Sequence, residues 1–211
     1  KTLLHGSEKE LRGSESALGN WATDVYRDAF ENADVAVVNA GALRIGQDLP
    51  PYTLMGRRVV EELVQYENEL VLVELSGDRL AAMLKHSVTG WPSSRFLQVS
   101  GLAYRHDPVS SSVSDIHLVR PDGLEALAED TIVRVVMPRF LADPTRGDQD
   151  GYGDEAAGGL SMTDVTASES SMRESLVSAL KGAGKDGISP TREGRICRTD
   201  LPDRPCMLSV E

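Results

Sequence analysis

Residues 146–155 read RGDQDGYGDE and hold four acids, three glycines and one tyrosine. Asp148, Asp150 and Asp154 are spaced like the oxygen ligands of a calcium loop, and Tyr152 stands among them. Three readings are open: a metal site, a solvated acidic loop, or a flexible arm that presents an aromatic ring. The D-x-[DN]-x-[DN]-G pattern of a calcium loop is not met, because Gly151 comes one ligand too early. Glycines on both sides of Tyr152 would let the backbone turn and expose the ring.

A second stretch, VVNAGALR, runs a short apolar strand straight into a loop carrying Asn39 and Arg44. An amide and a guanidinium at the mouth of a sheet suit a polar anionic ligand, because arginine offers a two-pronged donor to phosphate or carboxylate. The alternative is a strand end with a surface arginine. The four histidines, His5, His86, His106 and His117, form no metal-binding motif. They read as structural residues, His86 at a helix end and His106 and His117 on strands. No nucleophile elbow, phosphate loop or dinucleotide fingerprint occurs. Taken by itself, the chain carries no recognisable hydrolytic machinery.

These residues need a scaffold, and the hydrophobic pattern outlines one. The stretch 14–30 repeats Leu18, Trp21, Ala22, Val25 and Ala29 at helical spacing behind a serine cap. The runs 34–39, 69–75 and 131–138 predict buried strands, 95–108 and 115–120 predict further strands, and 56–64 and 78–88 predict helices. Residues 168–181 predict a capped helix, and 143–160 a glycine- and acid-rich loop. Strands and helices mix without regular βαβ alternation, which predicts an α+β fold with mixed sheets packed by helices.

Composition narrows the function classes. The 211 residues suit one domain with a real core, and a formal net charge of −11 argues against nucleic-acid binding. No apolar run nears the roughly 20 residues that span a bilayer. The chain starts at Lys1 rather than Met, which reads as a mature product or a piece of something longer. Cys197 and Cys206 flank RTDLPDRP, whose prolines favour a tight loop. Their spacing predicts a local disulfide and an oxidising compartment, the alternative being two unpaired thiols in a frayed tail. The expected division is a domain over residues 1–196 and a tail over 197–211.

Five segments together resemble the C-terminal domain of the 5′-nucleotidase family. They are RGSESALGNWATDVY (12–26), ADVAVVNAGALR (33–44), YENELVLVELSGDRLAAMLKHSV (66–88), RFLQVSGLAYRHD (95–107) and FLADPTRGDQDGY (140–152). The resemblance covers residues 8–196 and implies an α+β recognition domain. The family's hydrolysis is done by an N-terminal metallophosphatase domain holding two divalent metal ions, which is not present in this chain. The implied partners are therefore a nucleotide or related small phosphoester and that second domain.

By the same resemblance, Arg12 and Arg44 meet the ribose-phosphate region and Asn39 meets the base. Tyr66 and Tyr152 are implied to clamp the base from opposite faces. The chain departs from the family pattern at Ala40 and Ala42, which replace glycines, at Gln65, which replaces a proline, and in the expanded TRGDQDG segment. Some relatives act on sugar nucleotides, cyclic nucleotides or sulfur-containing substrates. A secreted, periplasmic or cell-surface location is implied. Two other readings are a stand-alone nucleotide-binding module and a structural domain whose pocket has decayed.

Overall fold

A computed structural model describes residues 3–145 and 149–208. The elements run α1 (Glu8–Gly13), α2 (Ala17–Asp28), β1 (Val35–Asn39), α3 (Arg57–Leu63), β2 (Glu69–Ser76) and α4 (Gly77–Ser87). They continue with β3 (Leu97–Ser100), β4 (Leu102–Asp107), β5 (Ser112–Arg120), β6 (Gly123–Ala126), β7 (Ile132–Pro138) and α5 (Arg139–Ala142). β8 (Val165–Ser171), α6 (Met172–Ala183) and β9 (Ile196–Arg198) complete the chain. The architecture is α+β, with a five-stranded sheet in the order β3-β1-β7-β2-β8 and a four-stranded sheet in the order β6-β5-β4-β9.

The apolar runs become the central strands. All five residues of β1 are buried, as are Leu70 to Val73 of β2, so these strands show no alternation. A strand covered on both faces gains from an apolar residue at every position. α2 packs across β1 and β3 with Leu18, Ala22 and Tyr26 fully buried, and Ser16 caps it by accepting from the Gly19 amide at 3.0 Å.

Three segments depart from the expected pattern. Residues 95–108 form two strands in different sheets, not one. The break is Gly101, whose φ is +74° and where a Cβ would lie 2.2 Å from the Asp34 carbonyl oxygen. Only glycine lets the chain switch sheets there. Residues 168–171, expected as the start of a helix, instead end β8, which pairs antiparallel with β2, and the helix begins at Met172. β9 carries Cys197 and Arg198 into the second sheet beside β4, so this strand straddles the expected boundary after residue 196.

β1 and β7 are parallel neighbours, so their C-terminal ends share one sheet edge. β2 runs antiparallel to β7 with Leu70 opposite Pro138, so its entry lies at that edge too. Three loops, following Asn39, preceding Glu69 and following Pro138, therefore converge.

Candidate functional site

The converging loops enclose a cleft of about 370 Å³ lined by Asn39, Arg44, Tyr66, Asn68, Phe140 and Asp150, among others. A strand end at a sheet edge is a common ligand position because loops can vary there while the sheet holds their roots.

Asn39 closes β1 and is 4% exposed. Its Nδ2 donates to the Asp150 carboxylate at 2.7 Å. A carboxylate only accepts, so this contact fixes which way the amide points. Asn39 Oδ1 has no hydrogen-bond partner among the described residues. A buried acceptor without a donor costs free energy that a ligand N–H or O–H would recover. The turn after Asn39 is pinned by the Ala40 amide on the Phe96 carbonyl at 2.7 Å and the Gly41 amide on the Ser94 carbonyl at 2.8 Å.

Arg44 is held at both ends of its residue. Its backbone amide donates to the Leu63 carbonyl at 2.7 Å, and its Nε donates to the Gly41 carbonyl. The guanidinium carbon lies 5.2 Å from the centroid of the Tyr66 ring, a cation–π placement that leaves the fork at the cleft. Gln65 Nε2 donates to the Arg44 carbonyl at 3.1 Å, so the residue in the expected proline position ties the Tyr66 loop to the Arg44 loop. Tyr66 is 67% exposed. A large aromatic this open at a cleft mouth has a free surface for stacking.

Phe140 supplies the other aromatic of the cleft. It sits in α5, immediately beyond β7, and its backbone amide donates to Asn68 Oδ1 at 3.2 Å. No role was expected for it from the sequence. Its signal was positional: an aromatic just past a buried strand, as Asn39 stands at the end of its own.

Tyr152 corrects the expectation of an exposed aromatic arm. Its ring is fully buried in the core and meets the His86 ring edge-on at 4.9 Å. Its hydroxyl donates to the Arg95 carbonyl at 2.6 Å, and burial pushes its phenol well above its ordinary range. A tyrosine whose hydroxyl finds a carbonyl gains more from burying its ring than a glycine-flanked arm gains from presenting it. Tyr152 thus cannot stack on a ligand in this arrangement.

Arg12 is also outside the cleft lining. It stands in the last turn of α1 and pairs with Glu8 one turn back at 3.1 Å. Of the acids in the opening stretch, Asp148 lies outside the described residues. Asp150 faces the cleft, while Asp154 caps a short turn by accepting from the Ala156 amide at 3.2 Å. Among the described residues, no group of three or more His, Cys, Asp or Glu is gathered as a metal site.

On the second sheet the C-terminal segment is clasped to the body. Glu15, 5% exposed, accepts from Asn20 Nδ2 at 2.7 Å and from the backbone amides of Glu193, Gly194 and Ile196 at 2.6, 3.2 and 3.3 Å. Cys197 and Cys206 are joined in a disulfide across nine positions. A loop of that length stabilises by roughly 2–3 kcal/mol through the entropy removed from the unfolded chain.

Comparison with known proteins places this geometry. The family model described as the 5′-nucleotidase C-terminal domain matches residues 2–149. No curated protein sequence matches the chain. Among solved structures, a 5′-nucleotidase precursor of Thermus thermophilus is 27% identical with a TM-score of 0.74, covering 94% of this chain and 38% of that one. The NAD nucleotidase of Haemophilus influenzae is 13% identical with a TM-score of 0.72, covering 94% of this chain and 37% of that one. The sulfate thiohydrolase of Thermus thermophilus is 15% identical with a TM-score of 0.65, covering 94% of this chain and 34% of that one. At these identities the last two share the fold alone. The chain spans little more than a third of the length of these proteins. It belongs to the family of 5′-nucleotidase C-terminal domains.

Proposed function

We propose that this member of the 5′-nucleotidase C-terminal domain family holds a nucleotide in the Asn39–Arg44–Tyr66–Phe140–Asp150 cleft for hydrolysis by a metallophosphatase domain elsewhere in the full protein. The observation that carries the reading is the cleft's division of labour. Two aromatics (Tyr66 and Phe140), one cation (Arg44), two carboxylates (Glu67 and Asp150) and the Asn39 amide line a single space of about 370 Å³.

Each part suits one part of a nucleotide. Tyr66 and Phe140 offer ring faces to a base, and stacking on an aromatic is worth roughly 1–3 kcal/mol. Asn39, at the strand end that lines the cleft, stands beside the base. The Arg44 fork takes a phosphate oxygen pair. Asp150 repels phosphate and accepts from hydroxyls, which places the sugar beside it. The divalent metals the family uses would belong to the other domain, and the disulfide fits a secreted or periplasmic location. A decayed pocket has less support, because decay would not keep a guanidinium, two aromatics and two carboxylates around one cleft.

The test is calorimetric titration with a nucleoside 5′-monophosphate and its nucleoside. Arg44→Lys should weaken the monophosphate roughly tenfold and the nucleoside less than about twofold, because an ammonium cannot reproduce the guanidinium fork. Failure of the unaltered protein to bind either ligand, or equal losses for both, would sink the reading.

A further inference from the structure

We infer that His86, which does not line the cleft, is a positioning residue that holds Asp150 in its ligand-facing orientation. The inference rests on the nucleotide reading above and adds to it the device that orders its sugar-binding carboxylate.

The segment 149–151 is conformationally expensive. Gln149, Asp150 and Gly151 have φ of 55°, 52° and 82°, three consecutive residues in the left-handed region. The two that are not glycine persist only where the surroundings over-determine them. Among the described residues, four contacts do so. Gln149 Nε2 donates to the Leu141 carbonyl at 3.0 Å, and Asn39 Nδ2 to the Asp150 carboxylate at 2.7 Å. The Tyr152 hydroxyl donates to the Arg95 carbonyl at 2.6 Å, and His86 Nε2 meets the Asp150 backbone carbonyl at 2.8 Å.

Of these, His86 grips the peptide plane between Asp150 and Gly151. A carbonyl only accepts, so Nε2 carries the proton. Gly151 makes that plane free to flip, and a Cβ there would lie 2.9 Å from His86 Nε2. The histidine is rigidly rooted in α4, and its ring also braces Tyr152 edge-on at 4.9 Å. Without its donor the peptide can rotate and the carboxylate samples other directions. The ligand must then restore the order, and affinity falls through lost preorganisation.

The experiment compares a nucleoside 5′-monophosphate with its 2′,3′-dideoxy counterpart by calorimetry, on protein whose melting temperature is recorded alongside. His86→Leu should weaken the ribose ligand roughly tenfold and the dideoxy ligand less than about twofold. His86→Gln, which keeps an N–H at similar reach, should recover most of that loss. In an Asp150→Ala background, His86→Leu should add less than about twofold, since the coupling acts through that residue. Should the H86L protein not fold, H86Q and H86N decide, because the second carries its donor one bond short and must show the same tenfold gap. Parallel loss for both ligands, no rescue by His86→Gln, or full additivity with Asp150→Ala overturns the positioning role. Absence of any nucleotide binding by the unaltered protein overturns the nucleotide reading and this inference together, and is a different result from all of those.

Discussion

The cleft on the first sheet and the clasp on the second use nearly the same residue types to opposite ends. At the clasp, Arg195 donates to both Asp24 carboxylate oxygens at 2.8 Å and to the Val99 carbonyl at 3.0 Å. Arg198 reaches Asp200, the Gly13 carbonyl and Ser14 Oγ while lying 4.5 Å over the Trp91 ring. Glu15 gathers four donors. The space left beside Ser14, Glu15 and Arg198 is about 10 Å³, enough for a single water. At the cleft, Arg44 spends one donor on its own turn and lies over an open ring, Asn39 Oδ1 has no partner among the described residues, and the space is about 370 Å³. Charges that satisfy one another hold the fold together, and charges that line a void of ligand size mark a candidate site. Cation–π contacts occur in both places and so do not distinguish them.

The comparison breaks most readily at Glu15. Glu15→Ala takes the acceptor from three backbone amides and from one N–H of the Asn20 amide, whose other N–H keeps the Thr191 carbonyl, and should cost roughly 3–5 kcal/mol in urea unfolding. The nucleotide affinity of protein that remains folded should stay within about twofold. A large affinity change with small stability loss would mean that the clasp serves the ligand after all.

Phe140→Ala is the converse. It should weaken a nucleotide by roughly 1–3 kcal/mol, measured by calorimetry, through the lost ring face. The same substitution should move a ribose phosphate without a base far less. If both ligands weaken alike, Phe140 shapes the cleft wall rather than the base position.

The smallest effect is expected at His106, on β4 near the clasp. Its ring is buried against Trp91 and Phe96, and neither ring nitrogen has a hydrogen-bond partner among the described residues. Burial first, and the Arg198 charge second, push it down to about 4, against the weaker opposing pull of Asp200 and Asp107. The folded state therefore binds its proton less readily than the unfolded chain, whose histidine titrates near about 6.5. The stability contribution is complete above that value and is lost as pH falls from about 6.5 toward 4. After allowance for solvent screening, roughly 1–2 kcal/mol should disappear between about pH 7 and 4.5. His106→Phe should remove that part of the slope. An unchanged slope would show that the acids of the clasp, not the buried ring, set its acid sensitivity.

Much of this molecule was legible before folding. β1, β2, β7, α2 and α4 follow from apolar runs and helical spacing, since a strand or helix must bury its apolar side wherever it sits. Asn39 and Arg44 were legible because a buried strand running into a polar loop puts its next side chains at a sheet edge. Less visible was β8, a serine-rich strand without an apolar pattern, which pairs with β2 up to Ser171 and leaves that serine as the cap of the helix that follows. The change of sheet at Gly101 is fixed by an approach to Asp34, which is distant in sequence.

The sequence by itself determined the α+β class, the family, the strand ends that root the cleft and two of its polar residues. Only the tertiary structure decided which of two aromatics, Phe140 or Tyr152, lines the cleft. Tyr152 and Phe140 lie twelve positions apart on one loop system, and locally either could be presented. The choice was made by contacts from elsewhere in the chain: Arg95 offers a carbonyl to the Tyr152 hydroxyl, His86 packs its ring edge, and Asn68 receives the Phe140 amide. Local composition cannot encode that outcome, because burial depends on which distant residues arrive to cover a ring.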